Sequence, residues 1–155
     1  MDDDYPPTSF NFVVLFEPVR FEAGWGKGDA SFSEAGGIGP EMEVESYREG
    51  GENRFVHSLP KGVKHPKLTL KRGVAPKGSQ LVKWCRTVLQ GGLAKPIHTR
   101  NLGLYLLAAD GSPLRGWTFQ NAYPTHWTVD NFVADKNSVA VEKIELSYAT
   151  SARDF

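Results

Sequence analysis

Residues 101–120, NLGLYLLAADGSPLRGWTFQ, carry the strongest fold signal in this 155-residue chain. Both halves of the stretch favour strands, and Asp110-Gly111 between them is typical of a tight β-turn. We therefore predict strands over 101–109 and 114–120, joined as an antiparallel hairpin. Most other segments of the chain also show strand patterns.

Five further strands are predicted, at 9–17, 41–47, 54–59, 67–72 and 138–148. In SFNFVVLFE, residues 9–17, apolar side chains occupy both alternating faces, so we expect both faces of this strand to be covered. In the segment 138–148 the alternation changes phase, which predicts a bulge or a strong twist near Glu142-Lys143. Seven strands in so short a chain indicate a mainly β protein, either an antiparallel sandwich or a barrel.

The strand EMEVESY, residues 41–47, places glutamates on one face and Met42 and Val44 on the other. This alternation predicts a half-buried strand with a hydrated acidic face. A glycine-rich turn at 49–53 joins it to the next strand, so we expect an extended hairpin over 41–59. Such a hairpin is hard to bury within one small domain. Adding its strands to a neighbouring copy would pair its edges, and repeated head-to-tail contact closes a ring or grows a filament.

One helix is predicted, over 79–90. Ser79 can serve as its N-cap and Gly91-Gly92 as its stop. The apolar residues between them form a single stripe, which indicates a helix packed on the outside or the end of the sheet: Leu81, Trp84, Cys85, Val88 and Leu89. We interpret Cys85 as a core residue. A lone cysteine excludes an internal disulfide and indicates a reducing compartment.

Charge is balanced overall but segregated along the sequence. Eighteen acidic and eighteen basic residues cancel, so no general attraction to nucleic acid or to a membrane surface is implied. Residues 61–100 nevertheless hold ten bases and no acid, while residues 1–60 hold twelve acids and four bases. Two interpretations stay open: solvated faces that cancel within the fold, or an acidic face on one copy that meets a basic face on the next.

The search for catalytic chemistry is negative. The glycines form no phosphate-binding or dinucleotide-binding loop, and no pair among the four histidines has helical ligand spacing. We therefore predict no catalytic residue, no cofactor and no metal site. A hydrolase would need a carboxylate or histidine pair with shifted pKa values in a pocket, and no such pair stands out.

Aromatic residues leave a binding module as the alternative function. Trp25, in the glycine-rich loop 22–28, and Trp127 could line a sugar platform, which would make the chain a carbohydrate-binding β-sandwich. Trp117 and Phe119 alternate on a strand and are predicted to be core. The acidic, proline-containing start lacks the pattern of a secretory signal, and no apolar run approaches the ~20 residues that cross a bilayer.

Seven motifs in order carry a resemblance to a known family. They are Tyr5-Pro6-Pro7, Phe32–Ile38, Tyr47–Phe55, Leu68–Gly73, the Leu81–Trp84 helix, Trp117–Pro124 and Val141–Tyr148. Together they resemble the tail-tube proteins of contractile-tailed phages, in the branch found in extracellular contractile injection systems. The resemblance spans about residues 5–148 and implies one tail-tube-like domain over 1–155, with residues 1–8 as a mobile or interface-forming arm.

The resemblance also implies a function. Members are structural proteins and not enzymes: six copies form a ring, and rings stack into an inner tube inside a contractile sheath, on a baseplate with a spike. We therefore expect a homo-hexamer that contacts tube, sheath, baseplate and spike proteins, without nucleic acid or stable membrane insertion. Assembly would be cytoplasmic, and the finished phage-tail-like particle extracellular or cell-associated.

Two features bear on which subunit this is. The stretch Val19 to Ala35 is longer and richer in glycine than in simple tube members, and the Tyr-Pro-Pro start is closer to initiator subunits that join tube to baseplate or spike. We expect a partner loop at Arg20, Trp25 and Lys27. We expect the subunit interface to use the hairpin and nearby bases, namely Glu41, Glu43, Glu45, Arg48, Glu49, Glu52, Arg54, Lys61, Lys64, Lys71 and Arg72.

Overall fold

The structure is a computed structural model that describes residues 11–17, 29–48, 50–51, 56–73, 79–130 and 140–155. Within these ranges the chain forms nine strands and one helix. Their bounds are β1 (Asn11–Phe16), β2 (Asp29–Gly36), β3 (Glu41–Tyr47), β4 (His57–Lys64), β5 (Leu68–Gly73), α1 (Gln80–Gln90), β6 (Arg100–Leu107), β7 (Pro113–Val129), β8 (Val141–Ser147) and β9 (Thr150–Arg153).

Six of the strands pair into a closed antiparallel ring. The order is β6-β1-β2-β5-β8-β7, and β7 returns to pair with β6, so the sheet closes as a barrel. The short strand β9 pairs with the first part of β7, at residues Trp117 to Gln120. The strands β3 and β4 form a separate two-stranded sheet. The predicted class, mainly β with an antiparallel barrel-like sheet and one helix, is confirmed.

Strand β7 pairs with three other strands, and a bulge bends it between the parts that face β6 and β8. Its first part pairs with β6 as far as Ala122, and its second part pairs with β8 from Tyr123 onward. Between these parts Asn121 has a positive φ of 52°, a conformation that asparagine tolerates better than most residues. The Asn121 N–H donates to the side-chain oxygen of Asn101 at 2.9 Å, which fixes the bend.

The core fills the barrel and continues under the helix. Fully buried side chains from the strands include Phe32, Leu70, Leu104, Phe119 and Ile144. The helix adds Leu81, Trp84 and Cys85 to the same cluster. The Ser79 hydroxyl accepts a hydrogen bond from the Val82 N–H at 3.1 Å, as an N-cap should. The predictions of the helix, its cap and a buried Cys85 are confirmed.

A second cluster lies on the other face of β1 and β6. It consists of Val13, Leu15, Tyr105 and Leu107. Phe12, Val14 and Phe16 pack instead with the main cluster. The prediction that both faces of the first strand are covered is therefore confirmed.

Two sequence predictions about strands are wrong, and two strands were not predicted. Strand β8 is regular through Glu142-Lys143, because Glu142 points into the core on the same face as Ile144 and Leu146. Strand β7 continues well beyond residue 120. Strands β2 and β9 were not foreseen: β2, with the sequence DASFSEAG, has weak strand propensity and is fixed by pairing with β1 on one side and β5 on the other.

The predicted hairpin is real but longer on its return side. Its second strand is His57–Lys64 instead of 54–59, and residues 52–55 lie outside the described ranges. The segment HSLPKGVK contains a proline and a glycine, which lower its intrinsic strand propensity. Pairing with β3 along its whole length overrides that local preference.

Candidate assembly surfaces

The β3–β4 hairpin stands apart from the rest of the described structure. Every residue of both strands is solvent-exposed, and neither strand packs extensively against another described helix or strand. At roughly 3.4 Å per residue, its seven to eight residues per strand extend about 24 Å. A two-stranded ribbon of this kind is marginally stable in water unless something covers it.

The register of the hairpin places Met42, Val44 and Val63 on one face and the glutamates on the other, together with Tyr47 and Leu59. Residues directly opposite each other share a face, and Met42 pairs with Val63, and Val44 with Pro60. The exposed fractions are 53% for Met42, 60% for Val44 and 60% for Val63. The prediction of a half-buried strand is therefore wrong, since no other described helix or strand packs extensively on the apolar face and its side chains are exposed by half or more.

The opposite face carries the predicted acidic ladder. Glu41 is paired with Lys64 across the strands, and Glu43 and Glu45 follow on the same face. Lys64 reaches Glu43 at 3.6 Å, a solvent-exposed ion pair that contributes about 0–1 kcal/mol. Lys61 is the extra residue at the register shift between Glu43 and Val44. Lys61 and Lys64, which were expected as bases near the hairpin, therefore belong to the hairpin itself.

Arg72 lies in the core, which removes it from the predicted interface. Its side chain is 5% exposed, and its Nε donates to Glu142 Oε2 at 3.0 Å. A second guanidinium nitrogen donates to the Ser79 hydroxyl at 2.9 Å, and the group also lies over the Phe32 ring, 4.4 Å from its centroid. The basic run in the sequence therefore does not form one continuous exposed face.

The remaining predicted interface residues have mixed positions. Lys71 is partly exposed and pairs with Glu34 at 3.3 Å, and Arg48 is exposed just after β3. Six predicted residues lie outside the described ranges: Glu49, Glu52, Arg54, Arg20, Trp25 and Lys27. The N-terminal residues 1–8 also lie outside these ranges.

An apolar groove between helix and sheet is the feature that sequence reasoning missed. It has a volume of about 310 Å³ and lies between the C-terminal end of α1, the loop after it and β7. Its lining is mostly apolar and comprises Val88, Leu89, Gly92, Leu93, Ile97, Tyr123, Pro124 and Thr125. The lining comes from segments more than 20 residues apart, so no local sequence pattern could reveal it.

Leu93 is the unusual residue of this groove. Its φ is +60°, a left-handed conformation that costs a non-glycine residue about 1–3 kcal/mol. The side chain is nevertheless 76% exposed, so burial within the subunit does not offset that cost. The conformation belongs to a tight turn that the Ala94 N–H closes by donating to the Gly91 carbonyl at 3.0 Å, and this turn holds the Leu93 side chain in solvent.

The aromatic residues weigh against a sugar platform. Trp127 donates its indole N–H to Glu142 Oε1 at 2.7 Å and packs on the main core. Phe119 is fully buried and Trp117 packs against the same core, as predicted. Trp25 lies outside the described residues, so the alternative of a carbohydrate-binding module gains no support here.

Neither a metal centre nor a membrane helix emerges from the described ranges. No cluster of three or more His, Cys, Asp or Glu side chains within them is placed to hold a metal ion. No helix in those ranges is long and apolar enough to cross a membrane. What the described surface offers is a ribbon with an uncovered apolar face and a separate apolar groove.

A closed antiparallel barrel, capped by one helix and carrying a long exposed hairpin, defines a tail-tube type of assembly protein. The family profile described as T4-like virus tail tube protein gp19 matches residues 8–151. The chain therefore belongs to this tail tube protein family. No curated protein sequence matched the chain.

Solved structures agree with this membership. A chain in the anti-feeding prophage (AFP) baseplate, whose structure was six-fold symmetrised, is 27% identical, with a TM-score of 0.72 and coverage of 99% of this chain and 97% of that one. A chain in the PVC sheath-tube complex is 22% identical, with a TM-score of 0.69 and coverage of 98% and 93%. Hcp1 from Salmonella typhimurium shares the fold at 13% identity, with a TM-score of 0.55 and coverage of 93% and 85%.

Proposed function

We propose that this chain is a structural subunit of a phage-tail-like contractile injection particle, and that six copies form a ring of its tube. The observation that carries the proposal is the tail tube family match over residues 8–151. The exposed hairpin supports it, because an uncovered apolar ribbon suits a protein that works as an assembly. The role is structural, without enzymatic chemistry.

Within the particle, we propose the position of a tube initiator, where the tube meets the baseplate. The chain shares 27% identity with a baseplate chain of the anti-feeding prophage and 22% with a chain of the PVC sheath-tube complex. Its partners would then be tube rings above it and baseplate or spike proteins below it. Assembly would take place in the cytoplasm before the particle leaves the cell.

Negative-stain imaging of the purified chain, with its mass from light scattering, tests the ring. We expect six-membered rings, seen as discs with a central channel. A chain that stays monomeric at high concentration, and that is also missing from assembled particles, would contradict the proposal.

Labelling of whole particles with an antibody against the chain tests its position. We expect the label at the baseplate end. Label along the whole tube, together with long tubes grown from the purified chain, would assign the repeated tube subunit instead of the initiator.

A further inference from the structure

We propose that the apolar face of the β3–β4 hairpin of one copy docks into the groove between α1 and β7 of a neighbouring copy. This inference rests on the proposed function, since it names the receiving surface for the exposed hairpin. The donor face is Met42, Val44, Pro60 and Val63. The receiving surface is the groove formed by Val88, Leu89, Leu93, Ile97 and Tyr123.

The hairpin supplies a large apolar surface that needs a cover. Its face exposes three aliphatic side chains by half or more, together with a proline. Burial of such side chains is favourable by about 25 cal/mol per Å² of apolar area removed from water. The hairpin makes no extensive contact with another described element of its own chain, so the cover must come from outside the described structure of that subunit.

The apolar face of the hairpin is better suited to docking than the free edge of β4. Pro60 has no N–H to donate, and Lys61 is a bulge residue that breaks the regular ladder of β4. Both are features by which natural proteins block strand addition at an edge. The apolar face carries no comparable obstacle.

The groove has the matching chemistry. Its lining is apolar, and it includes Leu93, Leu89 and Ile97, which are 76%, 37% and 40% exposed. Leu93 is also held in the left-handed conformation that presents its side chain to solvent. Covering Leu93 with aliphatic side chains of a second copy would remove its exposed apolar area from water.

Charge favours a second copy as the occupant. Residues 83–100, which surround the groove in sequence, contain Lys83, Arg86, Lys95 and Arg100 and no acid. The hairpin brings Glu41, Glu43 and Glu45, and no described residue forms an ion pair with Glu41 or Glu45. The glutamates lie on the face of the hairpin opposite the docking face, so they would act at a distance, steering the encounter and speeding association at low salt.

The geometry of such a contact suits a ring. The hairpin and the groove are different patches of the same chain, so the contact is head-to-tail. Each copy then offers a hairpin to one neighbour and a groove to the other. Repetition of one such contact closes a ring or continues as a helical stack, whereas a self-complementary patch would stop at a dimer.

A cross-linking experiment on the full chain tests the proposal. The double variant V44C/L93C is assembled under reducing conditions and treated with a short bismaleimide. We expect a ladder of covalent multimers on a denaturing gel. The matched control is V44C/A109C, since Ala109 is exposed in the turn between β6 and β7 and away from the groove. Cys85 is buried and is the same in both variants.

The outcomes separate the docking from the proposed function. Rings that assemble normally but give no V44C/L93C ladder, or give an equal ladder in the control, would overturn the docking and leave the proposed function intact. Failure of the unchanged chain to assemble at all would overturn both.

Complementation provides a second, independent readout. The variant M42D/V44D lacks the apolar hairpin face, and L93D/I97D lacks the apolar groove; all four positions are exposed, and aspartate tolerates the φ of residue 93. Each variant alone should need an at least tenfold higher protein concentration to assemble, and its melting temperature should be unchanged. Mixed one to one, they should form a complex of two subunits. Normal assembly of L93D/I97D would overturn the proposal.

Discussion

At the scale of single residues, the buried charge of Glu142 organises four elements of the fold. Its two oxygens accept hydrogen bonds from Arg72 at 3.0 Å and from Trp127 at 2.7 Å. Arg72 in turn donates to Ser79, the N-cap of α1. Strands β5, β7 and β8 are thereby tied to the start of the helix, and each buried charge has its partner.

Breaking this pair is expected to be costly. The variant Glu142→Gln keeps the shape of the side chain but leaves the Arg72 charge without its counter-charge in the core. We expect the free energy of unfolding to fall by about 3–5 kcal/mol, measured by urea denaturation. The matched control is Glu34→Gln, which breaks the exposed Lys71 pair and should cost less than about 1 kcal/mol. Equal effects of the two variants would contradict this account.

Trp84 provides a second test at this scale. It is 8% exposed, meets Phe16 edge to face at 5.3 Å between ring centroids, and donates its indole N–H to the His98 carbonyl at 3.3 Å. We expect Trp84→Ala to destabilise the protein by about 3–5 kcal/mol through a core cavity. Thermal or urea unfolding measures it. Near-unchanged stability would mean that the helix stripe contributes little to the core.

Tyr105 makes stability depend on pH in the alkaline range. Burial raises the pKa of its phenol above the ordinary 10.0, and the nearby carboxylates Asp154 and Glu17 add to the shift. The unfolded chain therefore loses this proton at lower pH than the folded chain does. Stability should then fall as pH rises above about 10. Melting curves of the unchanged chain and of Tyr105→Phe should diverge there, the variant losing less; parallel curves would contradict the assignment.

At the scale of elements, the root of the hairpin depends on one glycine. Gly37 joins β2 to β3 with a φ of +77°, and its carbonyl accepts a hydrogen bond from the Tyr148 hydroxyl at 2.8 Å. A Cβ at this position would overlap the backbone carbonyl of Lys67. Neither the backbone conformation nor the space admits a larger residue, so the chain leaves β2 in a fixed way.

We therefore expect Gly37→Ala to cost more than about 1 kcal/mol of stability, because the strained φ and the backbone clash add together. Urea denaturation measures the loss. Gly36→Ala is the control, since a Cβ there meets no atom within 4 Å, and its effect should stay within about 0.5 kcal/mol. A tolerated Gly37→Ala would show that the hairpin root can rearrange.

At the scale of the whole molecule, the charge segregation seen in the sequence has two different fates. Some of it cancels within the subunit, as the pairs Arg72–Glu142, Lys71–Glu34 and Lys64–Glu43 show. The rest stays on the surface, with glutamates on the hairpin and bases near the end of α1. The first interpretation therefore holds for these pairs, and the second, an acidic face that meets a basic face on the next copy, stays a prediction.

Charge reversal on the hairpin tests the surface part. The variant Glu43→Lys with Glu45→Lys should weaken ring formation or stacking without unfolding the subunit, because both side chains are exposed. Sedimentation or light scattering against concentration measures assembly, and circular dichroism checks the fold. The control reverses Glu17 and Asp130, which are exposed on the barrel and give the same change in net charge. Unchanged assembly of the hairpin variant would refute charge complementarity.

Local sequence patterns predicted the structure correctly wherever one physical rule dominates. The 3.6-residue spacing of apolar side chains, with Ser79 before it and a glycine pair after it, fixed the helix almost to the residue. The alternation of apolar residues in β1 likewise predicted that both faces of this strand are covered. The Asp110-Gly111 turn predicted the hairpin of β6 and β7. The alternating glutamates of β3 located the hairpin, but not its register, which includes an extra residue at Lys61 and a return strand three residues later than predicted.

Sequence patterns were therefore sufficient to predict the class of fold, the bounds of the helix, the presence of the hairpin and the family. Only the tertiary structure decided which charges are buried, because pairing Arg72 with Glu142 depends on two strands 70 residues apart in sequence. It also decided that β7 pairs with three other strands and that Leu93 lines a groove with Tyr123. Those outcomes depend on long-range packing, which no local spacing encodes.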